Sequence, residues 1–193
     1  MQDKKLFPVE NGKATIKFLE SERLYLRPLI EDDANGEYLA WLNDSEICFG
    51  NSHQIFPYLK SDASKYIQAS NHFERDLILA IVLQENNKHI GNVALQRINW
   101  IYRKAEFAIL IGDKNLWGKG IGLEAGKLIV NHGFTNLNLH RIECATFSNN
   151  IGMQNLALAL GMKQEGVRRE AAYKQGQLLD IFEYGLLRQE VFL

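Results

Sequence analysis

The hydrophobic pattern of the chain alternates between strand-like and helix-like stretches. Residues 23–29 alternate apolar and polar side chains, and residues 77–83, 90–98 and 105–111 are rich in aliphatic residues. Runs of this length and composition are typical of β-strands. The polar residues 85–88 predict a turn that joins two of these strands into a hairpin. The pattern therefore predicts four strands in the first part of the chain.

Two helices are predicted between the first strand and the hairpin. The acidic residues 31–33 favour a helix start, because negative charge complements the positive end of a helix dipole. Apolar residues within 38–42 then give this first helix a buried stripe. Ser61 is suited to cap a second helix that runs to about Phe73. The order of elements to this point is β-α-α-β-β-β.

The second half of the chain predicts five further elements. In chain order they are a helix at 121–134, a strand at 141–147, a helix at 151–160, and a closing hairpin of strands at 167–173 and 178–187. On the strand, Ile142, Cys144 and Thr146 share one face. Asn149 or Asn150 is suited to cap the last helix. The full order is β-α-α-β-β-β-α-β-α-β-β, which predicts a mixed α and β fold.

Length and composition favour one soluble domain. The chain has 193 residues, of which 46% are hydrophobic and 23% charged, enough for a single well-buried core. We therefore predict one domain over residues 1–193, in which residues 1–20 form an N-terminal extension or an extra strand. The sequence has no apolar run of membrane-spanning length and no export signal pattern. We expect a cytoplasmic protein without a membrane partner.

Charge and residue spacing argue against two other classes of protein. The net charge of −1 gives no concentrated basic face, so we expect no nucleic acid partner. The five histidines have none of the spacings typical of metal ligands, so we expect no metal. Cys48 and Cys144 lie far apart, and free buried thiols are the expectation.

The most informative segment is Trp-Gly-Lys-Gly-Ile-Gly at 117–122, which lies between the strand at 105–111 and the helix at 121–134. Closely spaced glycines let consecutive backbone NH groups turn toward one anion. The helix start adds unpaired NH groups and a positive dipole end. A phosphate or pyrophosphate is the expected ligand, although a strand-to-helix turn without a ligand explains such a cluster about as often.

Spacing excludes two common phosphate-binding motifs. A dinucleotide fingerprint that starts at Gly118 would need a third glycine at position 123, which is Leu123. A P-loop would need Ser or Thr after Lys119, and Gly120 follows instead. A compact Gly-x-Gly-x-Gly turn remains.

Several motifs together give the chain a family resemblance. They are Arg-Lys-Ala-Glu-Phe at 103–107, Trp-Gly-Lys-Gly-Ile-Gly-Leu-Glu-Ala at 117–125, Leu-Asn-Leu-His-Arg-Ile at 137–142, Asn150, and the Leu-Gly-Met to Glu-Gly segment at 160–166. This set resembles the GNAT superfamily of acetyl-CoA-dependent acyltransferases, over nearly the whole chain. Within it, the chain is similar to the branch of Rim-type ribosomal-protein, polyamine and amino-sugar acetyltransferases.

The resemblance implies a mixed, mostly antiparallel sheet flanked by helices and splayed between the strands at 105–111 and 141–147. Acetyl-CoA is then the expected co-substrate, wedged into the gap, and an amine is the expected acceptor. The residues implied to bind acetyl-CoA are Ile109, Leu110 and Ile111 through backbone groups beside the pantetheine arm, Trp117, Gly118, Lys119, Gly120, Ile121 and Gly122 around the pyrophosphate, and Asn150 beside the pantetheine. Lys114 is a further source of positive charge or a solvated lysine.

The resemblance identifies the catalytic residues less completely than the residues that bind acetyl-CoA. An alkylamine must lose a proton before it attacks a thioester, so a base is needed. Glu106 matches the position of a catalytic carboxylate in many relatives, although an ion pair with Arg103 or Lys104 explains it equally well. Many relatives also protonate the departing thiolate with a tyrosine, and that position is Ala157 here. Ser148, Asn149 or water could replace it.

The combined expectation is an N-acetyltransferase that transfers acetyl directly to a primary amine in a ternary complex. A small molecule or amino sugar is preferred to a protein N-terminus, because the net charge indicates no ribosome-docking surface. The acceptor pocket is expected from residues 38–43, 49–58 and 168–173. The sequence is also compatible with a catalytically silent acetyl-CoA-binding module, and with a different acyl group or a non-amine acceptor. Formation of a homodimer is left open.

Overall fold

A computed structural model of the protein describes residues 9–10, 13–14, 16–51, 53, 55–70 and 74–191. The strands are β1 (Val9–Glu10), β2 (Lys13–Ala14), β3 (Leu19–Glu20), β4 (Leu24–Pro28), β5 (Leu77–Leu83), β6 (His89–Asn99), β7 (Lys104–Ile111), β8 (Arg141–Phe147), β9 (Lys163–Lys174) and β10 (Gln177–Leu187). β1 and β2 pair with each other. The other eight form one sheet in the order β3-β4-β5-β6-β7-β8-β10-β9.

Helices cover both faces of this sheet. They are α1 (Tyr38–Asn43), α2 (Lys60–Ser70), α3 (Ile121–Thr135), α4 (Ile151–Ala159) and α5 (Arg188–Val191), with 3-10 turns at Glu31–Asn35 and Lys114–Leu116. Side chains of α1 and α2 form one buried cluster with one face of the sheet. Side chains of α3 and α4 form a larger cluster with the opposite face. In the part of the chain that the structure describes, no helix is both long and apolar enough to span a membrane.

The sheet changes direction at a single place. All neighbouring strands pair antiparallel except β7 and β8, which run parallel. Their pairing covers the register positions Lys104 with Arg141, Ala105 with Ile142 and Glu106 with Glu143. Beyond this point β7 continues to Ile111 and β8 to Phe147 without pairing. The predicted α+β fold with a mixed, mostly antiparallel, splayed sheet is confirmed.

The predicted elements are present, with differences at their ends. The first predicted helix is two pieces, because Gly36 is extended between the 3-10 turn and α1. The second ends at Ser70, and the predicted extension to Phe73 falls on residues outside those described. At the N-terminus, β3 adds a short strand to the edge of the sheet by pairing Leu19 with Leu26.

A buried cluster of charges anchors β4 to the 3-10 turn. The Arg27 guanidinium donates two hydrogen bonds to the Asp33 carboxylate, at 2.8 and 2.7 Å, and the Ile30 NH donates a third at 2.8 Å. His89 Nδ1 lies 3.1 Å from the same carboxylate. Burial alone would raise the pKa of Asp33, but the hydrogen bonds and charges of Arg27 and His89 outweigh it and hold that pKa well below its ordinary value.

Replacing Asp33 with Asn is expected to lower the free energy of unfolding by about 3 kcal/mol at neutral pH, since it leaves Arg27 buried and unpaired. The folded pKa of Asp33 is depressed, so its stabilisation is complete well above the ordinary value of 3.8 and is lost as the pH falls below it. Urea unfolding at neutral and acidic pH measures both effects. If Asp33→Asn lost stability on acidification as steeply as the parent protein does, Asp33 would not be the group responsible.

Candidate active site

The divergence of β7 and β8 opens a cleft of about 1060 Å³. Its walls come from β7 and β8, from the glycine-rich turn before α3, and from the first residues of α4. The wall continues over α1 and the loop that follows it. The expected base and, except for Lys119, the residues expected to bind acetyl-CoA line this cleft: Glu106, Ile109, Leu110, Ile111, Trp117, Gly118, Gly120, Ile121, Gly122 and Asn150.

The backbone of β7 presents alternate residues to the gap. The Gly112 NH donates to the Ile90 carbonyl at 2.8 Å, and the β6–β7 register continues from this pair without a shift along residues 106–111. An antiparallel ladder alternates, so the backbone groups of Leu110 face β6 and those of Ile109 and Ile111 face the gap. The sequence-based expectation that all three backbones face the gap is therefore wrong for Leu110. Leu110 nonetheless lines the cleft.

The β8 side of the gap follows the same logic. The Ser148 NH donates to the Asp180 carbonyl at 2.9 Å, in the same register that pairs Thr146 with Phe182. The backbone groups of Thr146 therefore face β10, and those of Ala145 face the gap. Backbone NH and C=O groups at this depth need hydrogen-bond partners. An extended chain carrying amides, inserted between Ile109 and Ala145, would supply them.

Trp117 occupies part of the gap. Its indole Nε1 donates to the Ile111 carbonyl at 2.9 Å, and its side chain is partly exposed. Trp117 thus gives the Ile111 carbonyl, at the end of β7, a hydrogen-bond donor. Without it, this carbonyl would need a donor from a ligand bound in the gap.

The glycine-rich turn has the backbone geometry that an anion site requires. Gly118 and Gly120 have φ angles of +73° and +78°, in the left-handed region that favours glycine. Gly120 is the N-cap of α3, so the NH groups that follow it have no acceptor within the helix. The Lys119 NH donates back to the Leu116 carbonyl at 3.3 Å. The NH groups of Gly120, Ile121 and Gly122 are the better candidates for binding an anion.

Arg23, directly before β4, contacts this turn. Its Nη1 donates to the Lys119 carbonyl at 3.0 Å, and its Nε donates to Glu124 Oε2 at 2.6 Å. Ser21 Oγ donates to the same carboxylate at 2.7 Å. Burial would raise the pKa of Glu124, but these hydrogen bonds and the charge of Arg23 lower it instead. Glu124 therefore stays ionised, and Arg23 compensates its charge at the start of α3.

The two lysines near the turn differ from expectation. Lys114 Nζ pairs with Asp44 at 2.9 Å and Glu46 at 2.6 Å. These contacts fasten the 3-10 turn at Lys114–Leu116 to the loop after α1, so Lys114 is neither a free phosphate ligand nor simply a solvated lysine. Lys119 does not line the cleft. In this turn the backbone, rather than lysine charge, is the feature suited to an anion.

Asn150 caps α4 and also lines the cleft, so its position is compatible with both predicted roles, helix capping and contact with the pantetheine. Its side-chain oxygen accepts from the Met153 NH at 3.2 Å, as expected for the cap of α4. A Cβ atom on Gly50 would collide with Asn150 Nδ2, so the loop after α1 rests directly on this residue.

Lys174 contacts the same loop. Its Nζ donates to the Cys48 carbonyl at 2.8 Å and to the Asn51 carbonyl, and lies 5.4 Å from the centre of the Phe147 ring. Lys174 thus holds this loop across the end of the cleft.

Glu106 carries an ion pair that the sequence did not identify. Arg97 Nη1 donates to Glu106 Oε2 at 2.8 Å. Neither of the expected partners is used, because Lys104 pairs with Glu143 and Arg103 binds Asn138. The Arg97 side chain is 83% exposed and that of Glu106 is 32% exposed. An exposed arginine is easily displaced, so this contact leaves the carboxylate accessible to an arriving ammonium group.

The position of the missing tyrosine is closed. Ala157 is fully buried in the core between α4 and the sheet, and it does not line the cleft. Of the suggested replacements, Asn149 lines the cleft and Ser148 does not. Ala157 therefore offers no proton and no hydrogen bond to a ligand.

The part of the cleft lined by α1, α2 and β6 is rich in aromatic and amide side chains. From the segments expected to form the acceptor pocket, the lining residues are Tyr38, Leu42, Phe49, Gly50, Asn51 and His53, whereas residues 168–173 of the closing hairpin do not line the cleft. The sequence did not identify the following lining residues: Tyr66, Asn92, Gln96 and Thr146. Burial raises the pKa of Tyr66 to about 12, so its hydroxyl stays protonated. Burial, with the charge of Lys174, lowers the pKa of His53, which is therefore neutral at neutral pH.

Comparison with known proteins agrees with this architecture. The model of the acetyltransferase (GNAT) domain matches residues 23–163. The chain is 31% identical over 180 residues to the uncharacterized N-acetyltransferase p20 of Bacillus licheniformis, a match that covers 89% of this chain and 97% of p20. It is 29% identical over 156 residues to the spermidine N(1)-acetyltransferase of Escherichia coli strain K12, covering 79% of each protein.

Solved structures show the same fold. The spermidine N-acetyltransferase of Vibrio cholerae, in complex with CoA and spermine, superposes with a TM-score of 0.78 at 24% identity, over 88% of this chain and 98% of that one. At this identity the likeness establishes the fold and nothing finer. The family match over residues 23–163 establishes more. This chain belongs to the GNAT family of N-acetyltransferases, enzymes that use acetyl-CoA as co-substrate.

Proposed function

We propose that this protein transfers the acetyl group of acetyl-CoA directly to the primary amine of a small molecule, with amino sugars as the favoured class, in a ternary complex. The observation that carries the proposal is the gap between β7 and β8, where the backbone groups of Ile109 and Ala145 face each other across an open cleft. The pantetheine arm carries amides along an extended chain, so it can pair there as a strand does. The NH groups after Gly120 suit the pyrophosphate.

Glu106 is the proposed base. A primary ammonium that displaces Arg97 would lie beside the Glu106 carboxylate, on the face of β7 turned toward α1 and α2. After the carboxylate accepts the proton, directly or through water, the amine lone pair attacks the thioester carbonyl. The new N–C bond forms, the C–S bond breaks, the sulfur takes the electron pair, and the nitrogen loses its second proton to water.

The shape of the acceptor end favours a small molecule over a protein terminus. Lys174 fastens the loop at Cys48 and Asn51, and Gly50 of that loop rests on Asn150. This loop lies across one end of the cleft, where a protein substrate would need an open groove for several residues. A compact acceptor does not need such a groove.

The charges of the acceptor end favour a single amine over a polyamine. Among the described lining residues, the carboxylates are Glu46 and Glu106, and both are paired, with Lys114 and Arg97. A polyamine carries several ammonium groups and would leave most of them without a carboxylate. Aromatic side chains such as Tyr66, together with the amides of Asn92 and Gln96, are suited to a hydroxylated ring.

The test is thiol release from acetyl-CoA in the presence of four acceptor classes: amino sugars and their nucleotide-linked forms, aminoglycosides, polyamines and N-terminal peptides. We expect the highest kcat/KM with an amino sugar, by at least about tenfold over spermidine, which corresponds to about 1.4 kcal/mol of transition-state binding. A highest value with peptides would refute the small-molecule assignment. Stoichiometric acetyl-CoA binding with no thiol release in any class would indicate a silent module.

A further inference from the structure

Thr146 carries a buried hydroxyl that the fold itself does not use. The residue is 5% exposed. Among the buried side-chain nitrogen and oxygen atoms of the described residues, Thr146 Oγ1 is the one without a hydrogen-bond partner. Burying an unpaired hydroxyl is unfavourable, and valine has the same shape without that cost. The residue at this position thus stabilises the free protein less than valine would.

Thr146 lies in the wall of the acetyl-CoA gap, and its hydroxyl oxygen is shielded from solvent in the free protein. Thr146 lines the cleft, three residues beyond Glu143, where β8 has already separated from β7. The backbone groups of Thr146 hydrogen-bond toward β10. Its side chain projects from the face of β8 that also carries Ile142 and Cys144. Cys144, on that same face, packs in the core cluster that also contains Ala157. Thr146 therefore presents an OH group from the same side of the sheet as Ala157, where many relatives carry a tyrosine hydroxyl.

We propose that Thr146 Oγ1 donates a hydrogen bond to the sulfur atom of bound coenzyme A and so stabilises the thiolate as it departs; this rests on the proposed acetyl-CoA site. The electron pair of the breaking C–S bond goes to sulfur, and the threonine keeps its proton. Glu106 accepts one proton from the ammonium before attack, the nitrogen loses its second proton to water as the C–S bond breaks, and the thiolate takes a proton from solvent after release. A hydroxyl-to-anion hydrogen bond is stronger than one between neutral groups, so the contact favours the transition state over bound substrate.

The test uses bound CoA rather than turnover, so it requires no knowledge of the acceptor. Thr146→Val and Thr146→Ser are compared with the parent protein by thermal unfolding without ligand, by calorimetric titration with CoA, and by ultraviolet titration of the bound thiol. For Thr146→Val we expect a melting temperature about 2–4 °C higher. We also expect roughly tenfold less thiolate in bound CoA near neutral pH. Thr146→Ser keeps the hydroxyl and is expected to titrate like the parent.

A matched control separates loss of this hydroxyl from loss of any hydroxyl. Thr135 Oγ1 donates to the Asn131 carbonyl at 2.8 Å, on the exposed end of α3. Thr135→Val is expected to leave the titration of the bound thiol unchanged and not to raise the melting temperature. If Thr146→Val does not fold, the pair Thr146→Ser and Thr146→Ala isolates the hydroxyl in the same way.

The outcomes distinguish this inference from the proposed function. If CoA binds the parent protein and Thr146→Val leaves the thiol titration unchanged, the sulfur contact is refuted while the acetyl-CoA site stands. A fall in melting temperature for Thr146→Val, with the titration unchanged, would equally refute it and indicate a protein partner for the hydroxyl. If CoA does not bind the parent protein, the proposed function itself fails.

Discussion

Gly120→Val is expected to weaken CoA binding by about 1,000-fold while the far-ultraviolet circular dichroism spectrum is retained. Gly120 has a φ of +78°, which a β-branched residue does not tolerate, and it precedes the free NH groups of α3. A shift of the turn that loses two hydrogen bonds to the charged pyrophosphate costs about 4 kcal/mol. Calorimetric titration with CoA measures the effect.

Gly176 provides the matched control for backbone strain. It has a φ of +79° in the turn between β9 and β10, and a Cβ atom there would have no neighbour within 4 Å. Gly176 does not line the cleft. Gly176→Val is therefore expected to lower stability by a similar amount while CoA affinity stays within about twofold. Equal CoA affinity in Gly120→Val and the parent would rule out the turn as the pyrophosphate site.

Glu106→Gln is expected to lower kcat by roughly 1,000-fold, the range for loss of a general base. The dissociation constant for CoA should change little, because Glu106 lies on the face of β7 toward α1 and α2, away from the glycine-rich turn. Initial rates with saturating amine, together with CoA titration, separate the two effects. Raising the pH should partly restore the rate, since a growing fraction of the amine is then already deprotonated.

Arg97 decides between catalysis and a structural ion pair. If Glu106 served only to pair with Arg97, then Arg97→Gln would reproduce the loss caused by Glu106→Gln. We expect instead that Arg97→Gln retains at least about a third of the parent kcat, because the Arg97 side chain is largely exposed and its ion pair contributes little stability. Matching losses in the two variants would contradict the assignment of Glu106 as base.

The sequence predicted helices and strands more reliably than it predicted the contacts between residues. Hydrophobic period identified the strand at residues 141–147 to the residue, because one of its faces is consistently buried. It missed the break at Gly36, where the backbone is extended between the 3-10 turn and α1, since a single glycine is also compatible with a continuous helix. Local pattern carries the information for elements, whereas breaks depend on packing that local pattern does not contain.

The parts of the site that the sequence missed depend on register. The backbone of Leu110 faces β6 because of how β6 and β7 align, and shifting that alignment by one residue would turn it to the gap. The Arg97 contact with Glu106 arises where a register shift follows Gln96 and Arg97 adopts a φ of +52°. Thr146 was placed on the correct face of its strand, but only the surrounding atoms reveal that its hydroxyl is unpaired.

The short junction between β7 and β8 has a consequence for turnover. Three register positions, ending at Glu106 and Glu143, join the strands that precede the cleft to those that follow it. A pantetheine arm bound beyond these positions would contact both β7 and β8. It would therefore stiffen the connection between the two halves of the sheet while acetyl transfer proceeds. Release of CoA would weaken this connection again. The rate of CoA release and the ease with which the two halves of the sheet separate would therefore be coupled.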